Sequence, residues 1–202
     1  MTSNRHNGTG ARTADDTVLD AARDCVLAVG VRRTTLTDIA RRAGVSRMTL
    51  YRRWPDVRTI VADLMTREWV RIGASVQPPD DGRPVRSRLV DGLVEGVRTF
   101  RDHPLLRKIV DVDPELLLPY VLDRLGASQR AFLELFEDAI TAGHHDGTIR
   151  PGHPARQARA LLLVVQSYGL SARTVIEEDD PELTTAAFDA ELRETLDRLL
   201  AP

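Results

Sequence analysis

The sequence holds a single cysteine, Cys25, a single lysine, Lys108, and only 4% aromatic residues. One cysteine excludes an intrachain disulfide, and its place among apolar helical positions makes it a small buried hydrophobe rather than a redox group. With lysine nearly absent, arginine carries the positive charge, a skew that the G- and C-rich codons of arginine explain without appeal to function. Long apolar runs are missing too. The longest, Ala160 to Val165, is far below the ~20 residues that a membrane helix needs. The polar stretch from Met1 to Asp16 has no signal-peptide core, so the expectation is a cytoplasmic protein without a membrane partner. No strand pattern and no internal repeat is visible.

What is present is helical. At 42% hydrophobic, the 202 residues can bury a core, with room for a small domain joined to a larger one. The net charge of −2 hides an asymmetry, because residues 1–60 carry +5 and the remainder −7. A basic head on an acidic body points to a polyanion met by the head alone.

Residues 1–14 are rich in Gly, Thr, Asn and Arg and read as a disordered, solvated arm, with a supplementary contact to that polyanion through Arg5 and Arg12 as the alternative. From Thr17 apolar residues recur every three or four positions (Val18, Ala22, Cys25, Val26, Val29) until Gly30 supplies a stop. Thr35-Leu36-Thr37-Asp38 has the form of a capping box opening a second helix that ends at Gly44. Ser46 caps a third, to about Arg53. Pro55 breaks it and Asp56 caps a long fourth helix, about 57–75. After the break at 77–84, further helices are expected at about 85–102, 105–111, 114–125, 127–143 (closed by Gly143), 154–175 and 183–200.

The stretch from Thr35 to Tyr51 carries the function. Two short helices are joined by Gly44-Val45-Ser46, where glycine permits a left-handed backbone, Val45 plugs the angle and Ser46 caps the next helix. This is a helix-turn-helix, which presents its second helix to a major groove of double-stranded DNA. At 100° per residue, Leu50 and Trp54 face the core. Met48, Thr49 and Arg52 lie opposite, with Arg47, Tyr51 and Arg53 on the flanks.

Residues 17–60 resemble the DNA-binding domain of the tetracycline-repressor (TetR) family. The resemblance rests on Val18-Leu19-Asp20-Ala21-Ala22, Gly30, Thr34-Thr35, Ile39-Ala40, Ala43-Gly44-Val45-Ser46, Thr49-Leu50-Tyr51, Trp54 and Asp56. It implies that Thr37, Arg47, Met48 and Thr49 approach bases or backbone and that Tyr51 meets a phosphate; Thr35, Arg52, Arg53 and Arg58 complete the expected DNA-binding set. Three residues depart from the pattern. Met48 replaces the usual glycine, Trp54 the commoner Phe or Tyr, and Val57 the usual phosphate-binding lysine, for which Arg58 or the free amides opening the fourth helix substitute.

The fold implied is all-α, divided into 1–14 as arm, 15–60 as a three-helix DNA-binding domain, and 61–202 as a helical effector-binding and dimerisation domain. The stripes on the last two helices are open to two readings, the domain's own core or a four-helix bundle with a second copy, and the resemblance favours the homodimer. Leu161, Leu162, Val165, Gly169, Leu192 and Leu196 are then the expected interface. The resemblance also implies a small-molecule pocket, for which Leu93, Val97, Phe100, Leu117, Tyr120, Phe132 and Phe136 are candidate walls, with Arg98, Gln129 or Tyr120 as polar anchors. His144, His145, Asp146 and His153 lack the spacing of a helical metal site, and Asp111, Asp113 and Glu115 flank a helix start, where acids complement the dipole. With no catalytic constellation, metal or cofactor motif, the expectation is a non-enzymatic repressor released from a palindromic operator by a small molecule. The same head would serve a ligand-independent activator or architectural protein.

Overall fold

In the computed structural model, residues 14–202 are described, and the apolar stripes among them become ten α-helices with no strand. The arm with Arg5 and Arg12 lies outside the described residues, except that Ala14 already belongs to the first helix. The chain divides into two compact units, one ending at Leu64 and the other beginning at Met65.

The first unit holds α1 (Ala14–Val29), α2 (Leu36–Ala43), α3 (Arg47–Arg53) and the start of α4 (Val57–Ser75). Asp15 and Asp16 occupy the first turn of α1, where carboxylates oppose the helix dipole. Val18, Ala22, Val26, Leu36, Ile39, Leu50, Trp54 and Ile60 close its core, together with Cys25. Gly30, at φ 82, ends α1, and the buried Thr34 hydroxyl donates to the Gly30 carbonyl at 2.7 Å.

The second unit continues α4 and adds α5 (Val85–Asp102), α6 (Pro104–Val112), α7 (Leu118–Leu122), α8 (Ala127–His145), α9 (Pro154–Ser171) and α10 (Thr185–Leu200). α9 packs on α8 and α5, and α10 packs on α5. Their inward faces make one apolar cluster, including Val90, Leu93, Val97, Leu133, Phe136, Ile140, Leu161, Leu192 and Leu196. Two arginines tie the ends down. Arg101 Nη2 donates to both oxygens of Asp189 at 3.0 and 3.2 Å, joining α5 to α10. Arg150 donates from its amide to the Leu200 carbonyl and from Nε to that of Leu199, each at 2.8 Å, which satisfies two open carbonyls at the end of α10.

Four boundaries differ from the sequence reading. The helix expected at 114–125 is a 3-10 turn, Pro114–Leu116, followed by the short α7. Pro119 is the reason: it has no N–H, and its ring would clash with the carbonyl four residues back in a continuous helix. Gly143 does not close α8, which runs on to His145. Gly143 is there for packing, since a Cβ at that position would lie 2.3 Å from Ile149 Cδ1, and the positive-φ glycine of the turn is Gly147. α9 stops at Ser171 and passes into a 3-10 turn, Ala172–Thr174. α10 begins at Thr185, because the Thr184 hydroxyl accepts from the Ala187 amide at 3.2 Å.

Candidate nucleic-acid interface

The turn between α2 and α3 is built by capping at both ends. Thr35 Oγ1 accepts from the Asp38 amide at 3.1 Å and donates to the Asp38 carboxylate at 2.6 Å. Gly44 sits at φ 69, ψ 27, and its N–H reaches the Ala40 and Arg41 carbonyls. No atom lies within 4 Å of a Cβ built there, so glycine is demanded by the backbone conformation and not by space. Ser46 Oγ accepts from the Thr49 amide at 3.1 Å and shares a 2.8 Å bond with the Thr49 hydroxyl. Asp56 accepts from the Thr59 amide at 2.7 Å and hydroxyl at 2.9 Å. Those bonds hold its carboxyl below the ordinary carboxylate range, as an N-cap in its charged form requires.

α3 is anchored by one face only. Leu50 is 1% exposed and Trp54 2%. The Trp54 indole also donates to Asp63 Oδ2 at 2.8 Å, so Trp54 does more than fill space. Its partner nine positions along had no signal in the sequence, because no helical or turn spacing links the two. The other face is open: Arg47, Met48, Thr49, Tyr51, Arg52 and Arg53 are all exposed, as are Thr35 and Arg58, while Thr37 is half-buried.

Charge pairing then separates the arginines of this unit. Arg41 is bound to Asp38 at 2.7 Å, Arg42 to Asp24 at 3.3 Å, and Arg23 to Asp20 and Asp24 at 3.7 Å. Arg53 leans on Asp15 at 3.5 Å with its guanidinium 5.2 Å from the Trp54 ring centre, so among the arginines of the expected contact set it is the one with an ion pair among the described residues. Arg47 and Arg52 have no carboxylate partner among the described residues, and Arg58 makes no ion pair there, although its charge acts on the nearby Asp56. α3 therefore carries two exposed guanidiniums without an ion pair, as phosphate binding requires, while Arg33, after α1, donates only to the Val29 carbonyl at 3.0 Å.

Residues 18–64 match the family model of bacterial regulatory proteins of the tetR family. An uncharacterized HTH-type transcriptional regulator of Mycobacterium tuberculosis, Rv2250c, is 38% identical over 198 residues, covering 98% of this chain and 97% of its own. The chain belongs to the TetR family. Among solved structures, the R. erythropolis TetR-family repressor QsdR superposes with a TM-score of 0.68 at 15% identity, over 93% of this chain and 94% of that one. SmeT, solved as a complex with triclosan, gives 0.60 at 22% identity, over 94% and 92%. The protein is thus a TetR-family transcriptional regulator with an all-helical TetR fold. Among its described residues, no helix is long and apolar enough to cross a membrane.

In the second unit of this TetR-family chain, the expected pocket residues fall into two groups. Leu93, Val97 and Phe136 are buried in the core cluster, whereas Phe100, Leu117, Tyr120 and Phe132 are half-buried. Phe100 stands edge-on to Trp69 at 4.8 Å, and Phe132 stacks on Phe136 at 6.2 Å. Gln129 is tied inward: it donates to the Tyr120 carbonyl at 3.0 Å and to Gln166 Oε1 at 2.5 Å. Arg98 is not an interior anchor. It is half-exposed and pairs with Asp189 at 3.3 Å and Glu95 at 3.5 Å. Sequence reasoning missed Glu68, a buried carboxylate 2.7 Å from Arg67 and 3.7 Å from His103 Nε2. The His103 ring and the Arg67 and Arg71 guanidiniums hold it down to about 2 against the burial that would raise it.

The expected dimer residues pack in or against the chain's own apolar cluster. Leu161, Leu162, Leu192 and Leu196 are buried by the chain's own helices, and Gly169 is buried with Phe100 3.0 Å from a Cβ built on it. Val165 is partly buried on the same cluster. A helix that packs on its own core uses its apolar stripe to do so, so the four leucine side chains are taken up within the chain, while Val165 stays half-buried. The large apolar residue α9 leaves outside is Leu163, 70% exposed. His144 and His145 lie in the last turn of α8 and not in a loop; His144 bonds Gln157 at 2.9 Å, and Asp146 accepts from the Val85 and Thr148 amides, each at 2.9 Å.

Proposed function

We propose that this regulator is a repressor that binds a palindromic operator as a homodimer and is released by a small molecule held in its second unit. The observation that carries the DNA half is that α3, anchored only through Leu50 and Trp54, presents Arg47 and Arg52 exposed and without a carboxylate partner among the described residues. In this reading α3 enters the major groove. Arg47, Met48, Thr49 and Arg52 meet base edges or backbone, and Tyr51, Thr35, Thr37 and Arg58 fix register on phosphates. Arg53 joins only by leaving Asp15. A two-fold dimer reads two equal half-sites, hence the palindrome. The exposed Leu163 on α9 supplies an apolar point for such an interface.

The ligand half rests on a half-buried polar pair beside an apolar, aromatic cluster. Gln129 and Gln166 bond each other between helices that carry Phe132, Phe136 and Tyr168, and DNA binding has no use for such a pair. Half-buried Phe100, Leu117, Tyr120 and Phe132 form the wall in this reading. SmeT, of the same fold, was solved with triclosan, and QsdR is a repressor, which supports a ligand-released repressor acting on DNA in the cytoplasm.

The test begins with operator selection from random duplexes, followed by a thermal-shift screen for compounds that bind the free protein. Titrating such a compound into the operator complex should release DNA. Linkage then requires operator to weaken the compound's own binding by the same factor. Compounds that saturate the protein without changing operator affinity would favour the ligand-independent reading. Light scattering should give twice the 22.5 kDa of one chain.

A further inference from the structure

Met48 is the most exposed large apolar side chain among the described residues, at 79%. It lies at the second position of α3, between the exposed Arg47 and Arg52 and one turn from Tyr51. Packing does not account for it, since α3 is anchored through Leu50 and Trp54 on the opposite side. A thioether chain accepts no useful bond from base donors and offers nothing to a phosphate. In the major groove the apolar feature available to it is the C5-methyl group of thymine. The neighbouring Thr49 hydroxyl is already shared with Ser46 at 2.8 Å, so Met48 is the free apolar probe at this end of the helix, beside Arg47. Arg52 follows four residues later on the same face, about 6 Å along the axis. Its guanidinium has no carboxylate partner among the described residues and matches the paired acceptors of guanine.

We infer that Met48 reads a thymine methyl group in each operator half-site, while Arg52 reads a guanine about two base pairs away. The inference rests on α3 being the reading helix, as proposed above, and adds the base chemistry that the helix selects.

Deoxyuridine tests it, because it removes the methyl group and keeps the base pair. Duplexes enriched from a random library by the full-length protein are remade with each thymine replaced in turn, and Kd is read by fluorescence anisotropy at fixed salt. One thymine per half-site, close to a guanine, should weaken binding about fourfold when demethylated, the change expected from one buried methyl group. Met48→Ala, an exposed substitution that keeps the helix, should bind the thymine and uracil duplexes equally while retaining the wild-type salt dependence. Tolerance of every uracil by the wild type would overturn the inference. So would a uracil penalty that persists in Met48→Ala, which would come from DNA shape. Failure to enrich any sequence would instead refute the assignment of α3 as the reading helix.

Discussion

Replacing single arginines of the first unit by alanine should split them into two classes, and the split is set by their partners rather than by their exposure. Arg52 is exposed and unpaired among the described residues. Its loss should weaken operator binding by about 1–3 kcal/mol, about 5- to 140-fold in Kd. Arg42 is also exposed, but its guanidinium is turned to Asp24 at 3.3 Å and cannot fork a phosphate at the same time. Its removal deletes a surface ion pair worth at most about 1 kcal/mol of stability and a charge screened beyond about 8–10 Å, so operator affinity should change by no more than about twofold. Arg53 falls between, because it must first leave Asp15 and the Trp54 face. The assay is fluorescence anisotropy against an enriched operator at three salt concentrations. Arg47→Ala and Arg58→Ala, where the side chain meets a phosphate, should each reduce the slope of log K against log salt by about 0.9. If Arg42→Ala weakens binding as much as Arg52→Ala, ion pairing in the free protein says nothing about which arginines meet DNA.

Three further outcomes follow from the second unit. Gly143→Ala gains about 1 kcal/mol in helix propensity, but its Cβ would lie 2.3–3.0 Å from Ile149 Cδ1, Cγ1 and Cβ. Overpacking of about 1–3 kcal/mol should win, lowering the urea midpoint, and Gly143→Ala should cost less in an Ile149→Ala background than in the wild type. Glu68→Gln should flatten the acid limb of stability: with its carboxyl at about 2 instead of the ordinary 4.5, wild-type Glu68 stabilises the fold above pH 4.5 and loses that contribution as pH falls toward 2. Urea melts at pH 7, 4 and 3 that decline identically in both proteins would contradict this. Leu163→Glu should give monomers that stay folded, whereas Leu162→Glu, buried to 7% exposure, should unfold the chain; circular dichroism with light scattering separates the two.

The head was legible because each of its signals is local. A cap sits within three residues of the amide that it accepts from, the turn glycine needs only its own φ, and the phase of α3 follows from Leu50 and Trp54 alone. The structure places Ser46, Gly44 and Asp56 in those expected roles. Pairings across sequence distance were not legible: Trp54 with Asp63, Arg53 with Asp15, and Arg42 with Asp24. They decide which arginines remain available, yet no helical period links their members. Pro119 and Gly143 show a different limit. The break that Pro119 imposes was readable in principle from proline's missing N–H. The role of Gly143 depends on Ile149 folding back over α8, which only tertiary structure reveals.

The body shows why an apolar stripe alone cannot locate an interface. Period 3.6 says that one face of a helix avoids water, but not whether the cover comes from the same chain or from a second copy. On α9 the stripe Ala158, Leu161, Leu162 closes against α5 and α8, and on α10 Leu192 and Leu196 join the same cluster. A two-fold partner must then use residues off the stripe, which puts Leu163 rather than Leu162 at issue. Such an interface is smaller in apolar content than the sequence suggested, so its stability would depend on backbone proximity and on charged neighbours such as Arg159, which is paired to Glu137 at 3.3 Å. A dimer held this way would weaken with salt, unlike one closed by the leucine stripe. Measuring the monomer–dimer equilibrium across ionic strength therefore distinguishes the two interfaces without any mutation.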